Sequence, residues 1–419
     1  MRIIAALVLS SILAVPLFSA PGQQEKPRVV AIRAAKIFTA AEKTFDHGVI
    51  LVEGKTIKAV GNVEIPEGAE VLEFPEAWAT PGLIDLHCHI AGAGLRDINE
   101  MVHPLNPELS TRATIDPESD LLQDALAGGV TTVNYIPGSG TNISGFGTLM
   151  HTGGGKTIED LIIRFPGAMK VAQAWNPERM GGDLGMSRMG MWWGLRQVLD
   201  EARAYNDAWT AHEKDGKPRP KKREDLELMR GLFQGKWPVI IHTADARDVM
   251  ATVRIFHDEY HIPCIVSHGE FGGYKSAPEI AKRQLPANIG PRTYDWTIMV
   301  QDGRCYGIAS KYFDAGVKKL SINTDSPVVP EEELIVQASM SVRLGLSEEA
   351  ALRAVTIEPA KAILIDQRLG SLEVGKDADI VIWTGNPLDV RNRPLLAMIG
   401  GKVAYDERKG RRVTFGGGW

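Results

Sequence analysis

Four histidines and one aspartate in this chain stand where metal ligands commonly stand, at the ends of short apolar runs. The first run, residues 81–90 (PGLIDLHCHI), contains a His-x-His pair. Because side chains alternate along a strand, His87 and His89 are expected to point to one side and Cys88 to the other. Two imidazoles on the same side of a strand end can bind one metal ion, although polar residues without a ligand also occur there.

Three further apolar runs end in a residue of the same kind. His242 ends the run WPVIIH, His268 ends IPCIVSH, and Asp325 ends LSINTD. A lone histidine at a strand end is usually an ordinary hydrogen-bonded side chain, so the prediction depends on all five residues occurring in equivalent positions. Four imidazoles and a carboxylate are a donor set that suits Zn²⁺ or a similar divalent ion.

Such a set predicts hydrolytic chemistry on a small-molecule substrate. A divalent metal lowers the pKa of its bound water to about 7, which gives a nucleophile for a carbonyl or amidine carbon. Asp325 can accept the proton of the water and pass it to a leaving amine. We therefore take Asp325, together with His268, as the candidate catalytic residues.

The apolar runs alternate with helical segments after residue 81, and this rhythm is typical of a parallel sheet. With the His-x-His run and a weak strand at 146–151 the count is eight, which suits an α/β fold of the (β/α)8 TIM-barrel type. In that fold functional side chains gather where the strands end. The remaining predicted strands are 130–136, 168–172, 237–242, 262–268, 285–290 and 320–325.

The two ends of the chain differ from its middle. Residues 28–80 and 370–407 are rich in short β-branched runs separated by turn residues, so both ends are expected to form one small β-sandwich domain, spanning 28–80 and 370–419. The barrel then occupies 81–369. Apolar residues at helical spacing, including Leu195, Leu199 and Trp209, predict an amphipathic helix in an insertion at 176–236.

Composition excludes several classes of protein. The chain has 419 residues, is 44% hydrophobic and 24% charged, and carries a net charge of −5, which is typical of a globular protein and gives no sign of a nucleic-acid partner. The basic stretch 217–223 (KPRPKKR) is interpreted as a solvated loop. Three widely spaced cysteines make no disulfide framework.

The first twenty residues predict export. Met1-Arg2 is followed by an apolar run and then by small residues, the pattern of a signal peptide over residues 1–20. The mature protein is expected to be periplasmic or secreted and not associated with a membrane after cleavage. A homo-oligomer is an option that the sequence leaves open.

The ordered motifs resemble the metal-dependent amidohydrolase superfamily. They are PGLIDLHCH at 81–89, the histidine at 242, SHG at 267–269, NTDSP at 323–327 and a closing segment at 355–383. Within the superfamily, PGSGTNISG at 137–145 and KVAQAWNPER at 170–179 resemble the exported, imidazolonepropionase-related branch.

The resemblance implies a (β/α)8 barrel with a composite β-sandwich and one or two divalent metals. By position, His87 and His89 match the first-strand ligands, and His242 and His268 match the fifth- and sixth-strand histidines. Asp325 matches the eighth-strand ligand and proton shuttle. Binuclear members also need a bridging group from the fourth strand, for which Lys170, as a carboxylated lysine, is the candidate in this sequence; an ordinary salt-bridged lysine is the alternative.

Two departures from the family pattern bear on the second metal and on the substrate. The pattern of this branch has Gly-Glu-Asn-Pro where this chain has Ala-Trp-Asn-Pro, so Trp175 replaces an acid that could bind metal. A second histidine two places after the fifth-strand histidine is replaced by Ala244. Hydrolysis of amide, cyclic amide or dipeptide-like C–N bonds is the leading hypothesis.

Two alternatives stay open from the sequence. One is deamination of a small heterocycle, although the glutamate that deaminases of the superfamily often carry after the fifth-strand histidine is matched here only by Asp245. The other is a catalytically impaired metal- or ligand-binding relative, which the two departures suggest and the retention of Asp325 opposes.

Overall fold

The computed structural model describes residues 28–92, 98–178, 187–291 and 307–409. The predicted signal peptide, the C-terminal residues 410–419 and Cys305 lie outside the described residues. Within the described ranges the chain is a mixed α/β protein, as the sequence predicted, with three sheets and with helices between most of the later strands.

The elements follow one another along the chain in a β-rich, then alternating, then β-rich order. The strands are β1 (Val29–Phe38), β2 (Thr44–Glu53), β3 (Thr56–Gly61), β4 (Glu70–Pro81), β5 (Leu83–Cys88), β6 (Val130–Tyr135), β7 (Ile143–Phe146), β8 (Thr148–His151), β9 (Ile162–Arg164), β10 (Met169–Ala172), β11 (Val239–Thr243), β12 (Cys264–His268), β13 (Ala287–Ile289), β14 (Leu320–Ile322), β15 (Ile380–Trp383), β16 (Pro394–Ile399) and β17 (Lys402–Asp406). The α-helices are α1 (Asp120–Ala127), α2 (Ile158–Leu161), α3 (Arg188–Asp215), α4 (Arg230–Phe233), α5 (Ala246–Thr252), α6 (Ala277–Lys282), α7 (Ile308–Asp314), α8 (Leu334–Arg343), α9 (Glu348–Ala354) and α10 (Ile357–Ala362). Helix α5 continues as a π-helix over Val253–Glu259, and short 3-10 turns occupy Thr111–Thr114, Gly273–Ser276, Glu331–Glu333 and Glu407–Lys409.

Strands from both ends of the chain form one seven-stranded sheet in the order β17-β16-β15-β4-β1-β2-β3. The two ends meet where β15 runs antiparallel to β4, with Ile380 opposite Pro81. Ile32, Ile50 and Ile382 from both ends pack in one apolar cluster. Alternating β-branched residues therefore bury one face of a sheet that neither end could complete alone.

The middle of the chain forms a six-stranded sheet, β14-β13-β12-β11-β10-β7, and a four-stranded sheet, β5-β6-β8-β9. Strands β10 to β14 run parallel to one another, and β5 is parallel to β6. One strand was predicted at 146–151. The structure instead has two strands in this region, β7 and β8, which pair antiparallel with β10 and β6, respectively, in different sheets.

Gly147 explains why that strand divides. It is the single residue between β7 and β8, and its amide donates to the Ala168 carbonyl at 2.8 Å. A Cβ at this position would lie 2.6 Å from Cγ2 of Ile136 and 2.9 Å from the Tyr135 carbonyl oxygen. The chain can cross from one sheet to the other here because glycine permits the close backbone approach.

The four- and six-stranded sheets also meet on their other side. Cys88, the last residue of β5, forms an isolated parallel bridge with Ser326, and the His89 amide donates to the Ser326 carbonyl at 2.8 Å. Ile84 of β5, Ile240 of β11 and Ile265 of β12 share one apolar cluster with residues of α10. The two sheets thus enclose a common core, and the ends of β5, β11, β12 and β14 are brought close together.

The predicted insertion contains the longest helix among the described residues, α3. Its buried side chains include Leu195, Leu199, Ala202 and Trp209, the residues whose spacing predicted a helix. No helix in the described ranges combines the length and the apolar character that a membrane crossing requires.

Candidate metal centre and active site

The ends of β5, β11 and β12 and the segment after β14 bring all five predicted ligand residues together. Potential ligand atoms of His87, His242 and His268 all lie within 4.8 Å of one another, and so do those of His87, His89 and Asp325. His87 belongs to both groups. The carboxylate Oδ1 of Asp325 is 3.4 Å from Nε2 of His87 and 3.3 Å from Nε2 of His89.

Two of these residues reach the site from unusual backbone conformations. His268 has φ +66°, although it closes a strand, and Asp325 has φ +50° in the segment beyond β14. Non-glycine residues rarely adopt positive φ, and such residues concentrate at functional sites. The sequence placed Asp325 at the end of its strand, whereas the structure ends the strand at Ile322 and turns the chain inward after it.

Hydrogen bonds from the protein fix how the imidazoles face the site. Nδ1 of His89 lies 2.8 Å from the Ile136 carbonyl oxygen, and Nδ1 of His268 lies 2.5 Å from the Gly290 carbonyl oxygen. A carbonyl only accepts, so both Nδ1 atoms carry the proton and donate it. Each Nε2 atom then keeps its lone pair for a metal, which is the usual arrangement of histidine ligands.

Two further nitrogens of the clustered histidines are buried without a hydrogen-bond partner. They are Nδ1 of His242 and Nε2 of His268. A buried polar atom without a hydrogen bond carries a desolvation cost, and each such atom in a folded protein calls for an explanation. A bound ion supplies one, because it takes the lone pair of an imidazole nitrogen.

Burial also keeps the imidazoles of His87, His242 and His268 neutral. Burial is the largest cause that lowers the pKa of His268, to about 4, and it lowers the pKa values of His87 and His242 well below the usual range of histidine. Burial opposes ionisation of Asp325, but His268, His89 and Lys170 outweigh it and hold the pKa of that carboxyl below its usual range. Neutral imidazoles beside a carboxylate are the protonation states that metal binding requires.

Lys170 of β10 is fully buried beside this cluster. Its Nζ lies 2.8 Å from Nε2 of His87, and burial lowers its pKa to about 7. A lysine in this condition has a large neutral fraction near neutral pH. The neutral amine is the form that can react with CO₂ to give a carbamate, so the structure places the candidate bridging residue next to a candidate ligand with suitable chemistry.

Two residues that were not predicted from the sequence, Ser267 and Asp85, form hydrogen bonds with the candidate ligand His87. The Oγ of Ser267 lies 2.7 Å from Nδ1 of His87. The carboxylate of Asp85 accepts from the amide of His87 at 2.8 Å, and from the amide and hydroxyl of Thr324 at 2.8 Å each. Asp85 therefore ties β5 to the segment that carries Asp325. Both residues stand within the quoted motifs, beside the ligands, and that proximity was the available signal.

Cys88 lies away from the histidines. Its thiol is buried near the carboxyls of Glu331 and Asp85, and burial raises its pKa well above the usual value. A protonated, buried thiol behaves as a small apolar side chain rather than as a ligand. The alternation of side chains along β5 had led to the same interpretation.

A cavity of about 230 Å³ opens onto the cluster. His242, His268 and Asp325 line it together with Trp175, Phe271 and Val328. Ala244 also lines it. Both departures from the family pattern, Trp175 and Ala244, thus face the same cavity as the candidate ligands.

The residues present fit a divalent metal ion. Neutral imidazoles oriented by carbonyl groups, an ionised carboxylate and two unpartnered buried nitrogens form a donor set of N and O atoms that suits Zn²⁺ and other first-row divalent ions. The two ligand groups that share His87 leave room for one ion or for two.

Comparisons with known proteins agree with this chemistry. Residues 308–409 match the family model described as "Amidohydrolase family". The amidohydrolase tasK of Hapsidospora irregularis is 26% identical over 395 residues, which cover 86% of this chain and 40% of that protein. The chain therefore spans less than half the length of that relative.

Two other matches extend over nearly whole proteins. An imidazolonepropionase of Rhizobium meliloti (strain 1021) is 26% identical over 401 residues, covering 84% of this chain and 89% of that enzyme. The crystal structure of an amidohydrolase from Thermotoga maritima MSB8 superposes with a TM-score of 0.81 at 27% identity, covering 90% of this chain and 100% of that one.

Proposed function

We propose that this chain is a metal-dependent hydrolase of amide, cyclic amide or dipeptide-like C–N bonds. Its matches to known proteins confirm its resemblance to the amidohydrolase superfamily. The observation that carries the proposal is the pair of ligand groups that share His87 at the foot of a cavity. If the clustered histidines had only a structural role, two of their imidazole nitrogens would not be expected to be buried without a hydrogen-bond partner.

Each of the five clustered residues has a role in the proposal. His87, His89, His242, His268 and Asp325 would hold the divalent ion, with zinc as the expected metal. When bound, such an ion supplies Lewis acidity toward water and toward the substrate carbonyl. The carbonyl groups of Ile136 and Gly290 keep His89 and His268 in the tautomer that presents Nε2 to the site.

Asp325 is proposed as the proton shuttle. Its low pKa leaves the carboxylate ionised and able to accept a proton from the attacking water. The same oxygen can deliver that proton to the leaving nitrogen, because the cavity that Asp325 lines is where both groups would lie. His268, which also lines the cavity, is the second candidate catalytic residue, and its Nε2 is presented to the site because Nδ1 donates to the Gly290 carbonyl.

Lys170 is proposed as a carboxylated bridge to a second ion. Burial supplies the neutral amine, and the 2.8 Å distance to His87 places that amine at the ligand shared by both groups. Intact-mass analysis in bicarbonate buffer should show one added CO₂ per chain in the metal-loaded protein and none in Lys170→Met.

The function is tested by metal analysis followed by a substrate screen. The purified protein is expected to retain zinc or another divalent metal at one or two equivalents, and reconstitution of stripped protein should restore turnover on an amide and dipeptide library. Absence of metal binding after reconstitution would contradict the proposal. Release of free ammonia from amino-heterocycles, with all amides inert, would instead identify a deaminase.

The finer architecture and the location of the protein are also proposals. The two central sheets, joined through Gly147 and through the Cys88–Ser326 bridge, are proposed to be the halves of a (β/α)8 barrel. The seven-stranded sheet is proposed as the composite β-sandwich domain. Residues 1–20 are proposed to direct export, which N-terminal sequencing of protein recovered from the periplasm or medium would test.

A further inference from the structure

We propose that Trp175, which packs against Phe271 in the lining of the cavity, is a specificity-determining residue that selects substrates with a flat apolar group, such as an aryl ring, next to the scissile C–N bond. The inference rests on the proposed function and names a substrate class for the same site.

The geometry forms an aromatic wall. The ring centroids of Trp175 and Phe271 are 4.4 Å apart with an interplanar angle of 49°, and both residues line the cavity that holds His242, His268 and Asp325. Trp175 is 49% exposed. A tryptophan that only filled the core would be buried, whereas this one keeps half of its surface available.

The indole is also held in place by its own loop. Trp175 has φ +56°, a conformation that is costly for a bulky residue unless its surroundings enforce it. Its amide donates to Oε1 of Glu178 at 3.1 Å, and the Glu178 amide donates to the Trp175 carbonyl at 3.0 Å.

A partly buried ion-pair network anchors that loop. Glu178 pairs with Arg188 at 3.1 Å, and Arg188 reaches the fully buried carboxylate of Asp248 at 2.8 Å. The first turn of α3 and the first turn of α5 are therefore both linked to the Trp175 loop. This degree of support positions the exposed ring before any substrate arrives, which lowers the entropic cost of binding against it.

The volume of the cavity restricts which parts of a substrate can contact Trp175 and Phe271. The cavity is about 230 Å³, so a carbonyl group at the histidines and Asp325 leaves its substituents within reach of the two rings. Val328 lines the same cavity and is 57% exposed. A flat apolar substituent gains by stacking on the indole and by removing these surfaces from water, while a methyl group gains little.

A matched pair of hydroxamates tests the inference without knowledge of the natural substrate. Benzohydroxamate and acetohydroxamate share one metal-binding group and differ in a phenyl or a methyl substituent. Calorimetry on the zinc-loaded protein should show about tenfold tighter binding of benzohydroxamate, from stacking and apolar burial together. Trp175→Ala should reduce this preference to about twofold, and Trp175→Phe should keep most of it.

Trp193→Ala is the control, since it removes another exposed tryptophan, on α3, that does not line the cavity. It should leave the preference unchanged. Equal affinity of the wild-type protein for both probes, or the same preference in Trp175→Ala and Trp193→Ala, would overturn the inference while leaving the metal site intact. Failure of zinc to improve the binding of either probe would instead overturn the proposed function and the inference with it.

Discussion

Ser267 offers a test of whether hydrogen bonds orient the candidate metal ligands. It contacts His87, but it has no imidazole or carboxylate with which to bind the ion itself. Its hydroxyl lies 2.7 Å from Nδ1 of His87 and is buried. With Nε2 of His87 directed to the metal, Nδ1 carries the proton and donates it to Ser267. We predict that Ser267→Ala weakens zinc binding although every ligand is retained.

The magnitude follows from the contacts of this hydroxyl. Its other hydrogen bonds are long: it accepts from the side-chain Nδ2 of Asn288 at 3.4 Å and donates to the Asn288 backbone carbonyl at 3.5 Å. The bond to His87 is therefore the main loss. Leaving a buried donor without a partner costs about 1–3 kcal/mol. Because each 1.4 kcal/mol is about a factor of ten, zinc affinity should fall roughly 10–100-fold, in the range found for partners of metal ligands.

The assay is competition for zinc between the protein and a chelating dye at neutral pH. Ser341→Ala is the matched control, since Ser341 is also buried and its hydroxyl donates to the Gln337 carbonyl at 2.9 Å within α8. Both variants should lose similar stability as metal-free proteins, and only Ser267→Ala should lose zinc affinity. If the two variants bind zinc equally well, Ser267 does not orient His87 and the reasoning is wrong.

Three further predictions concern charged groups in and behind the site. Burial and the neighbouring Asp85 raise the pKa of Glu331, so the folded state retains a proton that the unfolded state releases. The free energy of unfolding of the metal-free protein should therefore fall as pH rises from about 5 toward neutrality. Glu331→Gln should flatten that dependence in urea titrations. Burial lowers the pKa of Lys170 to about 7, so above that pH the unfolded state binds a proton that the folded state does not, and the stability of the metal-free protein should rise between about pH 7 and 10. Lys170→Met should remove this rise, stabilise the metal-free protein at pH 7 by roughly 2–4 kcal/mol and lower the zinc content. An unchanged pH profile would contradict the burial argument. Asp325→Asn should lower kcat about 10²–10⁴-fold, and a variant that holds the wild-type amount of zinc and keeps full turnover would refute the shuttle role.

Much of the strand pattern could be predicted because buried parallel strands appear as short apolar runs. The run 262–268 contains β12, and the run 237–242 overlaps β11. The prediction of a strand at 146–151 was right for Thr148–His151, which form β8, but wrong in placing Phe146 in the same strand. The apolar pattern does not record that Gly147 lets the chain change sheets. Close backbone approach at one glycine is set by the neighbouring strand, so local sequence does not reveal it.

The candidate ligands could be predicted for a similar reason. A histidine that follows an apolar run is recognisable in isolation, and parallel strands bring their ends together. Their supporting contacts were not predicted, because they depend on the register between distant strands. Ser267 meets His87 only because β5 and β12 face the same core, and Asp85 meets Thr324 across two sheets.

The floor and the mouth of the cavity come from different parts of the chain, and this separates metal binding from substrate choice. The floor is lined by His242, His268 and Asp325, and hydrogen bonds behind it cross between the sheets, as those of Asp85 do. The mouth depends on Trp175, which the Glu178–Arg188 pair links to the insertion helix α3. Substitution at the floor disturbs the donors, whereas substitution at the mouth changes the surface beside the reacting bond. Trp175 is therefore better understood as a residue that sets what the site accepts than as damage to the site, since the five candidate ligand residues and the orienting hydrogen bonds of His89 and His268 are in place.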